Sequence, residues 1–137
     1  MIRSVDHIGI AVSSIDEARS LYEGLGLEVA AIEEVPQEKV RVAIIPCGET
    51  RIELLEPTSE DSPVARFLER RGPGVHHLCL RSDAISEDDA RLRENGLQLL
   101  RDAPTVGAEG ALVQFVHPRS AGGVLLELSE PASEDEP

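Results

Sequence analysis

Residues 3–12 alternate in polarity as a half-buried strand does, with Asp6, Ile8, Ile10 and Val12 on one side and Val5, His7, Gly9 and Ala11 on the other. Ser14-Ile-Asp-Glu17 then has the form of a capping box. The helix it opens carries Ile15, Ala18, Leu21, Tyr22 and Leu25 along one side and ends at Gly24 and Gly26. Strands follow over 27–33, 39–46 and 51–55, the last two separated by the turn residues Gly48-Glu49-Thr50. Between Pro57 and Gly74 the strand pattern stops. Ser62 suits an N-cap, Pro63 the first helical position and Gly72 the C-terminal cap, which predicts a helical linker burying Val64, Phe67 and Leu68. The pattern then repeats. Residues 75–81 read as a strand, Ser86 caps a helix ending at Asn95-Gly96, and strands follow over 97–101, 111–116 and 124–129. Each half is therefore β-α-β-β-β.

Four polar residues interrupt the strands at matching places. His7 and Glu53 stand in the first half, and His77 and Glu127 stand at nearly the same separation in the second. Alternation puts Ile8, Ile10, Ile52, Leu54, Leu78, Leu80, Val124, Leu126 and Leu128 beneath the helices, and all four polar residues on the opposite face. Two neutral imidazoles and two carboxylates suit a divalent first-row cation such as Co, Ni, Mn, Fe or Zn, which acts as a Lewis acid where a coordination position stays open. A lone strand histidine is more often a hydrogen-bonded core residue, and a lone strand glutamate a surface charge. The duplication is what turns these four into candidate ligands. The fold class expected is α+β, with two paired β-α-β-β-β modules forming a cupped, barrel-like sheet around a metal site. One domain is expected over 1–130, made of a first module (1–57), the linker (58–74) and a second module (75–130). His76 has the wrong parity for a ligand, His117 precedes Pro118 in a turn, and Cys79 shares the parity of His77 but reads as packing.

Composition narrows the function. A chain of 137 residues has a net charge of −13, with 26 acids against 13 bases, and Tyr22, Phe67 and Phe115 are its only aromatic rings of the Phe, Tyr and Trp type. An acidic surface without aromatic platforms argues against nucleic-acid binding. No apolar run is long enough for a membrane span, and Asp6 and His7 interrupt any signal-peptide segment. Cys47 and Cys79 lack zinc or redox spacing, so both are expected as reduced thiols in a cytoplasmic protein. The acidic tail 131–137 is expected to be disordered.

Several motifs go further. Asp6-His7-Ile-Gly-Ile-Ala-Val, Ile52-Glu53-Leu-Leu-Glu-Pro57, Asp61-Ser-Pro-Val-Ala-Arg-Phe-Leu68, Gly74-Val-His-His77-Leu and Phe115-Val-His-Pro118 followed by Gly123-Val-Leu-Leu-Glu127-Leu occur in that order. In these the chain resembles the vicinal oxygen chelate (glyoxalase) superfamily, and within it the methylmalonyl-CoA epimerases, over residues 3–130. The resemblance implies an isomerase that interconverts the 2R and 2S epimers of a small acyl-CoA, with no nucleic-acid or membrane partner and a homodimeric assembly. It implies His7, Glu53, His77 and Glu127 as ligands of a divalent ion, with cobalt favoured and Ni, Mn or Zn as alternatives. The ion would chelate the thioester carbonyl and a carboxylate oxygen while a base removes the proton between them, giving an enediolate. Some relatives place a glutamate in the third strand as base. The ungapped match puts Arg41 there, which is always protonated and suits substrate binding instead. Glu127 and Glu53 are then the candidate acid/base groups, and Arg41, Arg119 and Ser120 the candidate substrate contacts. Lys39, Arg41, Arg101 and Arg119 could gather as a basic rim for the phosphates of CoA. The rival readings are a lactoylglutathione lyase-type metal enzyme and a metal-free binding or resistance module of the same fold.

Overall fold

The computed structural model of the chain describes residues 1–107 and 110–132. The expected disordered tail lies outside them from Ser133 onward. Among the described residues are eight strands and three α helices, an α+β fold. In order they are β1 (Ile2–Ala11), α1 (Ile15–Gly24), β2 (Ala31–Val35), β3 (Val40–Cys47), β4 (Thr50–Pro57), α2 (Pro63–Arg71), β5 (Gly74–Ser82), α3 (Ile85–Glu94), β6 (Thr105–Val106), β7 (Leu112–Val116) and β8 (Leu125–Glu130). Contacts divide the chain into two compact units. One is His7–His76; the other is Met1–Asp6 with His77–Pro137.

In the His7–His76 unit the strands run in the order β2-β3-β4-β1. β3 is antiparallel to both neighbours, and β1 lies parallel to β4 with His7 opposite Arg51, Gly9 opposite Glu53 and Ala11 opposite Leu55. One face packs on α1, where Val12, Ile15, Ala43, Ile45 and Leu54 are buried with Ile10, Ala18, Tyr22 and Ile52 around them. Ser14 caps α1 as expected, its Oγ accepting from the N–H of Glu17 at 3.2 Å. Leu21 and Leu25, expected on the buried side, are instead 63% and 68% exposed. The stripe that meets the sheet is narrow, running from Ile15 through Ala18 to Tyr22; Leu21 falls on its flank and Leu25 lies beyond the last helical turn. The opposite face carries α2, whose Val64, Phe67 and Leu68 pack on Ala11, Val40, Val42 and Leu55. Ser62, Pro63 and Gly72 occupy the cap positions read from the sequence. The helix expected as a linker thus covers one end of the sheet face that bears His7 and Glu53.

In the other unit the order is β1-β5-β8-β7-β6, with β1 represented by its first residues. β5 is parallel to β8, and β7 is antiparallel to both β8 and β6. The strand expected over 97–101 is reduced to one bridge, Leu99 to Val116, and the short β6 forms later instead. Leu100 N–H still donates to Phe115 O, but the carbonyl of Arg101 accepts from the side chains of Arg93 and Gln114, which draws the chain out of the ladder. Pro104, without an N–H, cannot rejoin it. Ser86, expected as the N-cap of α3, lies inside the helix; Ala84 holds the cap position without a side-chain bond.

A carboxylate from the sheet supplies the missing cap. Glu130 Oε1 accepts from the N–H of Ile85 at 2.7 Å, and Glu56 Oε1 accepts from the N–H of Ile15 at 2.9 Å in the first unit. Both helices therefore begin on a glutamate of the last strand of their own repeat, which satisfies an orphan donor and complements the helix dipole. Beneath α3 the buried side chains include Asp88, Asp89 and Gln114 as well as Ile85, Val116 and Leu128. Gln114 Nε2 donates to Asp89 at 2.8 Å, Arg93 Nε donates to the same carboxylate at 2.8 Å, and Ser82 donates to Asp88.

Glu56→Ala should leave the N–H of Ile15 without its acceptor while Ser14 still caps α1, and cost about 1–2 kcal/mol in chemical denaturation. Burial pushes the Asp89 carboxyl up, but hydrogen bonds from Arg93 and Gln114, with the arginine's charge, outweigh it and hold the pKa below the usual carboxylate value. The stability this supplies is present above the unfolded-state pKa of about 3.9 and is lost as pH falls through the lower folded value. Asp89→Asn should therefore flatten the acid limb of a stability–pH curve below about pH 4.

Candidate metal centre

Each unit holds one histidine–glutamate pair with the same internal geometry. In the first, His7 on β1 and Glu53 on β4 point from one sheet face, with Nε2 of His7 3.6 Å from Oε1 of Glu53. In the second, His77 on β5 and Glu127 on β8 also stand at 3.6 Å, again Nε2 to Oε1. The parallel register is what creates this likeness. Gly9 lies opposite Glu53 and Cys79 opposite Glu127, so each glutamate faces a small residue and reaches diagonally toward the histidine two positions earlier. All four side chains are largely buried, the two glutamates being 13% exposed.

A separation of 3.6 Å exceeds that of a good hydrogen bond. It is close to what two ligands of one cation adopt: atoms each about 2.1 Å from an ion lie about 3.0 Å apart at a right angle and about 3.4 Å apart at the tetrahedral angle. Imidazole nitrogen with carboxylate oxygen is also the donor chemistry that first-row divalent ions take. Each pair therefore fits half of a metal-binding set.

In the first unit Glu53 has a further partner: Arg51 Nε donates to its Oε2 at 2.7 Å. Arg51 was not among the residues that sequence reasoning singled out. The available signal was its place two residues before Glu53 on the same strand face. Cys79, read as packing, is fully buried. His76 packs edge-to-face on Phe67, ring centroids 5.1 Å apart, and burial lowers its pKa from the usual histidine value. His117 stays in its turn, its Nδ1 accepting from the N–H of Arg119 at 3.0 Å.

The expected substrate contacts fare differently. Arg41 sits opposite Glu56, on the α1 face rather than the His7–Glu53 face, and donates to Glu56 Oε2 at 2.9 Å. Strand alternation forces this placement, because Val42 and Ile44, not Arg41, share the face of Leu55 and Glu53. Its work is to hold the carboxylate that caps α1. Lys39, with a left-handed φ of 56°, is paired with Asp61, whose pKa is lowered to about 2 by hydrogen bonds from Lys39 and then Ser59. Arg101 stacks 4.9 Å above the ring of Phe115 and donates to Thr105. Phe115 lies opposite Glu127, on that glutamate's face. Arg119 is exposed on a 3-10 turn, Pro118–Ser120, and Ser120 Oγ accepts from the N–H of Gln98 at 3.0 Å. No helix among the described residues is long and apolar enough to cross a membrane.

Comparisons with known proteins agree on one relationship. The sequence pattern of the Glyoxalase/Bleomycin resistance protein/Dioxygenase superfamily matches residues 6–115. The Bacillus subtilis uncharacterized protein YqjC is 45% identical over 93% of this chain and 91% of its own length. The Cereibacter sphaeroides ethylmalonyl-CoA/methylmalonyl-CoA epimerase is 39% identical, over 95% of this chain and 99% of its own. The Streptomyces coelicolor methylmalonyl-CoA epimerase, solved as a variant in complex with 2-nitronate-propionyl-CoA, is 34% identical and superposes with a TM-score of 0.86 over 97% of this chain and 100% of its own.

The two thiols give a direct check on the burial around Glu127. Cys79 is buried and Cys47 half-buried, and neither is in a disulfide. A disulfide-exchange reagent should titrate at most one thiol in the native protein, Cys47, and two after unfolding.

Proposed function

The chain belongs to the Glyoxalase/Bleomycin resistance protein/Dioxygenase superfamily, and from that membership we propose that it is a metal-dependent epimerase of methylmalonyl-CoA or a close acyl-CoA analogue. The observation that carries the proposal is the doubled His–Glu pair, identical in its 3.6 Å spacing in both units. Relatives whose names denote this activity align along nearly the whole chain.

His7, Glu53, His77 and Glu127 would together hold one divalent ion, with cobalt favoured. When bound, the ion supplies a Lewis acid for the negative charge that collects on the thioester oxygen as the neighbouring C–H proton leaves. The chain's own residues supply the rest. Glu127 is the group proposed to take the proton, through a carboxylate oxygen. It lies opposite Phe115 and Cys79 in the strand register, and its side chain is largely buried. Glu53, whose Oε2 is engaged by Arg51, is proposed as the second acid/base group, returning a proton to the opposite face of the same carbon so that the centre inverts. Arg119, exposed beside the last strand, is proposed to meet a phosphate of CoA, and the Ser120 hydroxyl keeps its own proton to donate.

Purified protein loaded with Co²⁺ and incubated with (2R)-methylmalonyl-CoA in deuterated water should place deuterium at the α carbon and give the 2S epimer. Glu127→Ala should lower the exchange rate by about 10²-fold or more, and His7→Ala should weaken Co²⁺ binding. Absence of exchange in the loaded parent protein, with turnover of a glutathione hemithioacetal instead, would point to the lyase chemistry of the same superfamily and overturn the proposal.

A further inference from the structure

The segment that leaves the outer side of β7 carries a cation over the face of Glu127. Leu99 bridges to Val116, and the N–H of Leu100 donates to Phe115 O. One residue on, the carbonyl of Arg101 accepts from Arg93 Nη2 at 2.7 Å and from Gln114 Nε2 at 3.0 Å. Gln114 is fully buried, and both donor side chains are themselves bonded to Asp89. The backbone of Arg101 is thus pinned from the α3 side of the sheet. Its side chain turns to the other side. The guanidinium carbon lies 4.9 Å from the ring centroid of Phe115, and Nη1 donates to the Thr105 hydroxyl. Phe115 stands opposite Glu127 in the β7–β8 register, so ring and carboxylate are cross-strand neighbours on one face.

We infer that Arg101 is a specificity-determining residue that binds the free carboxylate of the substrate's acyl group. The inference rests on the acyl-CoA reading above. In a chain of 26 acids and 13 bases, arginines are readily claimed by carboxylates. Arg91 and Arg93 on α3 are paired with Asp88 and Asp89 in this way. Arg101 is held instead by a ring face and a hydroxyl, and among the described residues no carboxylate pairs with it. Such partners fix a cation without neutralising it, so its charge and most of its N–H donors remain for a ligand. The planar fork matches a carboxylate through paired hydrogen bonds. Because backbone and side chain are both held beforehand, little freedom is lost on binding. Position selects the anion. Glu127 is the group proposed to act at the carbon between thioester and carboxylate, and Phe115 is its cross-strand neighbour. The anionic group attached to that carbon is the carboxylate, whereas the phosphates of CoA stand a pantetheine arm away. The cation also offsets the repulsion between the substrate carboxylate and Glu127. An acyl-CoA without that carboxylate gains nothing from Arg101, so the residue separates carboxylated from plain acyl thioesters.

The test is calorimetric binding of malonyl-CoA and of acetyl-CoA, which differ by the carboxylate alone, to the Co²⁺-loaded protein. Arg101→Met keeps an unbranched chain over Phe115 and removes the charge, while the bonds to Arg93 and Gln114 run to the backbone and stay. It should weaken malonyl-CoA about tenfold and leave acetyl-CoA within about twofold. Arg101→Lys should recover part of the loss, since the charge returns without the fork. Should Arg101→Met fail to fold, Arg101→Gln carries the same comparison. Equal weakening of both thioesters would assign Arg101 to the phosphates of CoA and overturn the inference, and so would unchanged binding of both. Either result leaves the acyl-CoA reading intact. A parent protein that binds neither thioester would sink that reading and the inference with it.

Discussion

The parallel pairing of the first and last strands of each repeat is the constraint from which the candidate site follows. In a parallel pair the residues that face one another are fixed by register, and side chains two positions apart share a face. Pairing Gly9 with Glu53 and Cys79 with Glu127 sets each carboxylate across from a small side chain and diagonal to a histidine. A slip of one residue in either pairing would send the glutamate to the helix side and the site would vanish. Gly9 and Cys79 matter because bulk there would block the diagonal that the carboxylate takes.

The register is held from the other face of the same strands. Glu53 and Glu56 are three residues apart on β4, so they point to opposite sides, and Glu127 and Glu130 stand in the same relation on β8. The outer member of each pair caps the helix of its repeat through the N–H of Ile15 or Ile85. The strand that presents a ligand on one face is thereby anchored to a helix N-terminus on the other. Arg41 serves this anchoring and not the site: its bond to Glu56 keeps the capping carboxylate in place. Strand position, helix start and ligand direction are consequences of one arrangement used twice.

Most of this was legible in the sequence because it depends on local, periodic signals. Alternation separated His7 and Glu53 from Ile8, Ile10 and Leu54, and the cap residues Ser14, Ser62 and Gly72 marked helix ends correctly. The readings that departed from the structure depended on long-range partners. Ser86 looked like a cap, but the donor at the start of α3 is met by Glu130, distant in sequence. The apolar run 97–101 looked like a strand, but the side chains of Gln114 and Arg93 take the carbonyl that would continue its ladder. Arg41 was assigned by an alignment position, and the pleat put it on the other face. Arg51 was passed over because arginine is common on strand rims, and only the register revealed that it stands across from His7.

The material under the two repeat helices differs in kind. α1 rests on Ile10, Val12, Ala43, Ile45 and Leu54, whereas α3 rests in good part on the network of Gln114, Asp89 and Arg93 with Ser82 and Asp88. Apolar surface raises the heat capacity on exposure to water and polar surface lowers it. The segment under α3 therefore contributes less curvature to the stability of the chain with temperature, and its strength comes from directional bonds that are enthalpic near room temperature. On warming, the α1 side draws on a water-driven force that holds up, and on cooling that same force weakens first. One repeated design thus carries two different thermal responses within one chain.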